Sequence, residues 1–486
     1  MIEYSHNSIV VRDVDIKSRG FVTMHGKLSL WNPVFRKYIN PVYYKKKVGK
    51  DKYNIYLPAS LGVNFVSSYF PEKGLVFNPN MIVESSDIYF EMRNYPLDQT
   101  QYDAICFLEN MKHDDNRERM IVMSTGVGKT FVAISAVKLL EKKTMIIVDS
   151  VDLAKQWKEK FLEHSEISED DIFMISGSES VETALKDHEN YKIFIAIHRT
   201  LYNLMEKKPS NIFNLFNTLK IGTRVFDECH VEYRNIIKIN SFSSVDYTIY
   251  LTATPNRSSA SDNRVYKAIF GNVPVFNSKE TNNKTLQKSD IEKYHTVVTM
   301  QFNSNPTHEN ILKMSTLHGF SSAKWANYIL KTNYDKVLNI IQDVVKKLKI
   351  VENKTKTVIM LPIIKMMDRV ETDMREIFGE NVGVFSGEVN KNKRTEELEK
   401  QIIITNDKIF ERGLDVTDVE ILINFSQFKS KVKTEQILGR IRNGNKKSIY
   451  IDVTDVGFED LINFSKVRHK LLKQKAKAFK ETDFTY

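Results

Sequence analysis

Cysteine is nearly absent. Among 486 residues there are two, Cys106 and Cys229, far apart. Two thiols at that separation make no disulfide framework and no metal-ligand spacing. A disulfide-stapled scaffold and a structural zinc module are excluded, and a reducing compartment fits. Long apolar runs are also missing. None approaches the ~18 residues of a membrane span, so no membrane partner is expected. The opening Met1-Ile2-Glu3-Tyr4-Ser5-His6 lacks the pattern of a signal peptide. A cytoplasmic protein is expected, in the host's cytoplasm if the source is a virus or phage. Internal repeats and low-complexity tracts are absent, which argues against solenoids and disordered arrays. The charges do not balance: 71 Lys and Arg face 61 Asp and Glu, a net charge of +10. That excess favours a polyanionic partner. The length suits two or three domains.

What is present begins with Met123-Ser124-Thr125-Gly126-Val127-Gly128-Lys129-Thr130. An apolar strand can end at Met123, and an apolar helical pattern starts at Phe131. A Gly-rich turn there points successive backbone N–H groups inward, where they can cradle phosphate oxygens. The helix adds its positive N-terminal end. Lys129 can reach the β- and γ-phosphates, and Thr130 can hold Mg²⁺ through its hydroxyl. The full P-loop pattern wants Gly where this chain has Met123.

Roughly a hundred residues on, Thr223-Arg224-Val225-Phe226 reads as a strand ending in Asp227-Glu228-Cys229-His230. Asp227 can hold hydrated Mg²⁺, and Glu228 can polarise an attacking water. In a doubly wound sheet, ligands bind at that strand end. No further carboxylate cluster marks a nuclease.

A third strand, Tyr247-Thr248-Ile249-Tyr250-Leu251, ends in Thr252-Ala253-Thr254-Pro255, and much later comes Gln436-Ile437-Leu438-Gly439-Arg440-Ile441-Arg442. The phosphate loop, DECH, TATP and QxxGR, in this order, resemble the superfamily-two helicases across roughly residues 93 to 455. The resemblance implies an ATP-hydrolysing motor on nucleic acid, with ATP and Mg²⁺ as cofactors.

The strand and helix patterns predict an α/β chain with two doubly wound parallel-sheet lobes and a β-rich N-terminal accessory domain, and the resemblance implies that the lobes are RecA-like. The expected spans are 1–92 for the accessory domain, 93–283 for lobe one, 284–462 for lobe two and 463–486 for a basic C-terminal helix. In the accessory domain Ser8 to Val14, Tyr53 to Pro58 and Asp87 to Met92 read as strands. Its Lys45, Lys46 and Lys47 interleave with Tyr43, Tyr44 and Tyr53, which suits phosphate contact and base stacking. An exposed hairpin with solvated lysines is the equal alternative. The tail carries Lys466, Arg468, Lys470, Lys473, Lys475, Lys477 and Lys480 without an acid. It reads as a basic amphipathic helix on lobe two, solvated or touching nucleic acid.

The resemblance implies further roles. Gln101 matches the adenine-reading glutamine, with Gln99 as competitor. Ser150 and Gln156, Ser176 and Gly177, and His198, Arg199 and Thr200 resemble loops that touch the nucleic-acid backbone. Thr252 and Thr254 would link the ATP site to that face by hydroxyl hydrogen bonds. Ser386, Gly387 and Thr405 resemble phosphate-contacting loops of lobe two. Gly413 and Asp415 would face the nucleotide. Gln436 and Arg440 resemble the arginine-finger motif. The family's second arginine falls at Asn443 here, and Arg442 stands one place earlier. Either the helix ends early at Asn443-Gly444 and Arg442 swings in, or one finger operates.

DECH rather than DEAD, a compact second lobe and a short N-terminal domain resemble phage UvsW-like and poxviral transcript-release helicases. The motor parts also resemble RecG-like and XPB-like proteins. The first resemblance implies fork regression, Holliday-junction branch migration and duplex unwinding, with branched or forked DNA as partner and replication or recombination proteins nearby. The alternative is an RNA-directed or transcript-releasing ATPase.

Overall fold

The protein is described from a computed structural model, which covers residues 1–5, 8–32, 37–39, 42–78, 84–123, 127–208, 210–230, 233–253, 260–278, 295–316, 319–386, 394–412, 419–441 and 448–482. Two compact units divide at Asn283 and Lys284.

In the first unit a seven-stranded sheet carries the site. Its order is Ile172–Ile175, Ile193–Ile197, Thr144–Val148, Thr223–Phe226, Tyr247–Thr252, Glu118–Val122 and Val275–Asn277. Every pairing is parallel. Both faces are covered, so Thr144–Val148 and Ile193–Ile197 are buried along their whole length. The helix Lys129–Leu140 is apolar nearly all round and packs inside this lobe.

An N-terminal sheet of five strands belongs to the same unit, in the order Tyr44–Gly49, Lys52–Pro58, Ser8–Asp15, Ile2–Tyr4, Leu75–Phe77. Its Ile9, Val11, Ile55 and Leu57 join one apolar core with Phe226 and Tyr250 of the parallel sheet and Ile269 of the helix Ala260–Phe270. The expected strand at Asp87 to Met92 is instead two isolated bridges, to Lys142 and Ser165. Backbone N–H groups of Ile88 and Arg93 donate to the carbonyls of Glu141 and His164, so this segment trims helix ends rather than joining a sheet.

The second unit repeats the parallel architecture. Its order is Val382–Phe385, Ile402–Asn406, Thr357–Leu361, Ile421–Asn424, Ser448–Asp455, His295–Phe302 and Ala478–Glu481. The basic tail differs from a single helix. A helix spans Glu459–Lys475, and then Ala478–Glu481 pairs in parallel with His295–Phe302 as an edge strand. Among the described residues no helix is long and apolar enough to cross a membrane.

Candidate functional site

The strands that end in the three first-lobe motifs lie side by side. Thr223–Phe226, Tyr247–Thr252 and Glu118–Val122 are neighbours, and their C-terminal ends share one edge. Ser124, Thr125 and Gly126 lie outside the described residues, as does Thr254. The loop's exit is clear. Gly128 has φ +89°, caps the helix Lys129–Leu140, and faces Gln101 so closely that a Cβ would collide with its amide. Only glycine combines that backbone with that approach. Thr130 is half-buried in the helix's first turn.

Gln101 is 3% exposed. Its Nε2 donates to the Val127 carbonyl at 3.1 Å and its Oε1 accepts from the Leu97 amide at 2.8 Å. Asp98 caps this helix by accepting from Gln101 N at 2.9 Å. The competitor Gln99 is exposed and bonded to Asp103 at 2.6 Å. Of the two glutamines, Gln101 is therefore the one that packs against the phosphate loop.

Lys129 is buried, with Nζ 3.1 Å from Glu228 Oε1. Asp227 Oδ2 accepts the indole N–H of Trp157 at 2.8 Å, and its Oδ1 accepts the Glu228 amide at 2.9 Å. Burial raises the Asp227 carboxyl above its ordinary range, and the neighbouring Glu228 charge raises it further, against Lys129 and Trp157. Two adjacent carboxylates at one strand end suit a divalent cation, whose charge would offset their mutual repulsion. Glu228 has φ +44°, uncommon for a side chain of its size. That turn sends its carboxylate toward both Lys129 and His230, whose Nδ1 lies 3.3 Å from Oε2. The same nitrogen meets the Thr252 hydroxyl at 2.9 Å. Thr252, His230, Glu228 and Lys129 therefore form a chain of contacts from TATP through DECH to the phosphate loop. Cys229 takes no chemical part: burial pushes its thiol up to about 12.

The loops expected to touch nucleic acid divide. Ser150 caps the helix Val151–His164 through the Leu153 amide, at 3.2 Å. Gln156 is half-buried on that helix. Ser176, Gly177 and Arg199 are exposed, and the Gly177 amide donates to the Thr200 hydroxyl at 2.9 Å, so these two loops meet. His198 is a correction. It is 2% exposed and stacked on Phe226 at 6.1 Å, and burial lowers its imidazole to about 3. A neutral, enclosed ring cannot hold a phosphate. Lys45, Lys46 and Lys47 are exposed on the edge strand Tyr44–Gly49, with Lys45 over the Tyr53 ring at 5.3 Å.

In the second unit Thr405 is another correction. It is fully buried and donates to the Phe385 carbonyl at 3.0 Å, so its hydroxyl serves the sheet. Ser386 is buried beside it, and Gly387, Gly413, Asp415 and Arg442 lie outside the described residues. Gln436 is nearly buried in the helix Lys431–Arg440. That helix stops at Arg440, with Ile441 already at its C-cap, so it ends before Asn443-Gly444. Arg468 corrects the reading of the tail. It is fully buried and pairs with Asp452 at 3.1 Å. Among the described residues no group of three or more His, Cys, Asp or Glu gathers as a separate metal site.

Trp157, His230 and Thr252 thus enter the site together, and Trp157 had no sequence signal for it: its partner lies 70 residues away.

Comparison with known proteins fits this arrangement. Two family models match, the type III restriction enzyme res subunit over residues 94–257 and the helicase conserved C-terminal domain over residues 336–444. The DNA 3'-5' translocase XPB2 of Sulfurisphaera tokodaii is 24% identical over 444 residues, 84% of this chain and 93% of that protein. Transcript termination protein A18 of Yaba monkey tumor virus is 23% identical over 425 residues, 81% of this chain and 79% of that one. A Rad25 protein of Haloarcula marismortui is 31% identical over 144 residues, 30% of this chain, and the match spans 21% of that protein. Among solved structures, S. cerevisiae Dbp5 bound to RNA and ADP BeF3 has TM-score 0.51 and 13% identity, over 80% of this chain and 94% of its own. T4 UvsW aligns over 99% of both chains with 17% identity and TM-score 0.37.

Proposed function

This chain belongs to the superfamily-two helicases, and from that premise we propose that it spends ATP to remodel branched DNA. The family makes it an ATP-dependent helicase enzyme. The observation that carries the reading is the pair Lys129–Glu228 at 3.1 Å, beside Asp227, at the exit of the phosphate loop. Lys129 is placed to leave Glu228 for the phosphates when nucleotide enters. Glu228, held by His230, would then orient and deprotonate the attacking water. Thr130 and Asp227 would hold Mg²⁺, which supplies neutralising charge to the phosphates. Gln101 would read the adenine edge.

Transmission to nucleic acid would run through Thr252 and His230, one hydrogen bond from Glu228's partner. Backbone contact would come from Ser150, Ser176, Gly177, Arg199 and Thr200, whose groups are small, exposed or at helix starts. The preference for branched DNA is assigned to the N-terminal sheet, where Lys45, Lys46 and Lys47 form an exposed basic edge. Fork regression, branch migration and duplex unwinding follow as the activities of such a motor in replication, recombination or repair.

Kinship with a transcript termination protein over 81% of the chain supports a second reading, a transcript-releasing ATPase. Steady-state ATPase rates with forked DNA, four-way junctions, linear duplex and single-stranded RNA separate the two. Stimulation greatest with forks and junctions supports the proposal. Stimulation greatest with RNA replaces it with the second reading.

A further inference from the structure

A small pocket lies where the edge of the N-terminal sheet meets two helices of the first lobe. Its volume is about 220 Å³, and Tyr44, Glu206, Lys238 and Phe242 line it. Tyr44 opens the edge strand Tyr44–Gly49, Glu206 belongs to the helix His198–Lys207, and Lys238 and Phe242 belong to the helix Tyr233–Phe242. Ser241 Oγ donates to the Val42 carbonyl at 3.3 Å, and Tyr44 packs edge to face on Phe242 at 4.7 Å, so the strand is fastened to the lobe here.

The pocket joins two surfaces read above as contacts with nucleic acid. Arg199, Tyr202 and Glu206 stand at i, i+3 and i+7 of one helix and share a face. That face leads from the loops at Gly177 and Thr200 to the pocket, a rise of about 10 Å. Arg199 and Lys238 both lie over the Tyr202 ring, at 5.8 and 5.2 Å. On the pocket's other side, exposed Lys46 shares the strand face of Tyr44, two residues away. Cations interleaved with aromatic rings suit a single strand, whose phosphates take the cations and whose bases take the rings.

Glu206 breaks that pattern. A carboxylate among these cations repels phosphates and weakens backbone binding. Its side chain is 55% exposed, and its Oε1 lies 3.5 Å from Lys238 Nζ. So exposed a pair adds little to the fold. The Tyr202 hydroxyl also bonds to Glu206, and the two carboxylate oxygens have lone pairs for further donors. An ammonium beside a carboxylate matches the edge of an unpaired base, where single-stranded nucleic acid is read. Guanine matches it best: O6 accepts from the ammonium, and the adjoining N1–H and N2–H donate to the carboxylate. Thymine offers a single N–H.

We propose that this pocket takes one unpaired guanine base, its ring against Tyr44 and Phe242, its O6 on Lys238 and its N–H groups on Glu206. The assignment rests on the branched-DNA reading and adds a base preference to it.

Fluorescence anisotropy of the full chain with forked DNA tests it. The single-stranded arms are oligo-dT, with one dG walked along each. At one position dG tightens binding at least about tenfold over dT, as paired hydrogen bonds to charged groups should. Deoxyinosine at that position lacks the N2 amino group and loses most of the gain. Glu206→Gln removes the difference between dG and dT, whereas loss of a merely structural group would weaken both forks alike. No favoured position, equal gains from dG and deoxyinosine, or the full gain in Glu206→Gln overturns the proposal. ATP turnover is read on the same forks. Forks that stimulate turnover without any base preference overturn the pocket alone, and forks that neither bind nor stimulate overturn the branched-DNA reading with it.

Discussion

The indole N–H of Trp157 donates to Asp227 Oδ2 at 2.8 Å. A helix that starts at Val151, read for its contact with the nucleic-acid backbone, thus also holds the first carboxylate of the DECH box. Trp157 is a positioning residue. Trp157→Phe keeps the bulk and removes one charged hydrogen bond. The expected result is a higher Mg²⁺ requirement for ATP turnover, by about tenfold, with a folded protein. A Mg²⁺ titration of ATPase activity checks this. An unchanged curve would show that Asp227 is held without Trp157.

Removing the lysine and the glutamate should separate binding from chemistry. Lys129→Ala is expected to lose ATP hydrolysis while keeping junction binding, because nucleic-acid affinity comes from many other groups. Glu228→Gln is expected to bind ATP and turn it over at least ~100-fold more slowly. Stopped-flow nucleotide binding and steady-state rates distinguish the two, and normal turnover in either variant would sink the site assignment.

Arg440→Ala should lower kcat by ~10³ or more, as arginine fingers do in related phosphoryl transfer. The helix carrying it ends at Arg440 itself. The helix thus ends before Asn443-Gly444, as the early-stop reading of the sequence requires, and Arg442→Ala is expected to lower kcat as well. A wild-type rate in that variant would mean that a single finger operates.

Glu118 predicts a pH effect on stability. Burial raises its carboxyl to about 7 from 4.5, against the pull of Arg224 and Tyr250. A raised folded pKa means that the group is accommodated without charge cost below about 4.5. Stability is then lost as pH climbs through about 7, by up to about 3 kcal/mol. Glu118→Gln has no charge to bury and should lose less stability between about pH 5 and pH 8. Urea unfolding at both pH values reads the difference. Parallel losses in both proteins would contradict it.

Asp452 behaves in the opposite sense. Burial alone would raise it, yet Arg468 and His469 outweigh that and hold it at about 2. Its contribution is present above the ordinary carboxylate range and fades only as pH falls toward about 2. Arg468→Met removes the permanent countercharge from a buried carboxylate, leaving His469 and Asn424 as its hydrogen-bond partners, and should cost about 3 kcal/mol at neutral pH. Thermal unfolding would show this, and an unchanged midpoint would not be compatible with the buried pair.

Much of this was legible in the chain, for an identifiable reason. The phosphate loop and DECH are each contiguous, and the strands before them are fully buried, so apolar runs such as Met120 to Val122 and Val225-Phe226 mark them plainly. Contacts across the fold were not. Nothing local tells that Trp157 meets Asp227 or that His230 meets Thr252. Arg468 looked like one more solvated cation because its partner lies on a separate strand, Ser448–Asp455. The edge strand Ala478–Glu481 was hidden because its outward half is charged and exposed. His198 sat among loop residues in sequence while its ring turned onto Phe226.

The N-terminal sheet is the place to look for junction preference. Replacing Lys45, Lys46 and Lys47 by Ala should weaken fork binding and reduce the salt slope by up to about three, if all three touch phosphates. Binding of forked and linear duplex across a salt series reads both quantities. A triple variant that discriminates as wild type does would move the junction reader elsewhere.

The most direct measurement follows strand exchange on a labelled, forked DNA with ATP, in wild type and Glu228→Gln side by side. The account predicts regression or separation of the fork that requires ATP and stops in Glu228→Gln, although that variant still binds the fork. Fork remodelling at equal rates with and without ATP, or ATP turnover that forks do not stimulate, would contradict it.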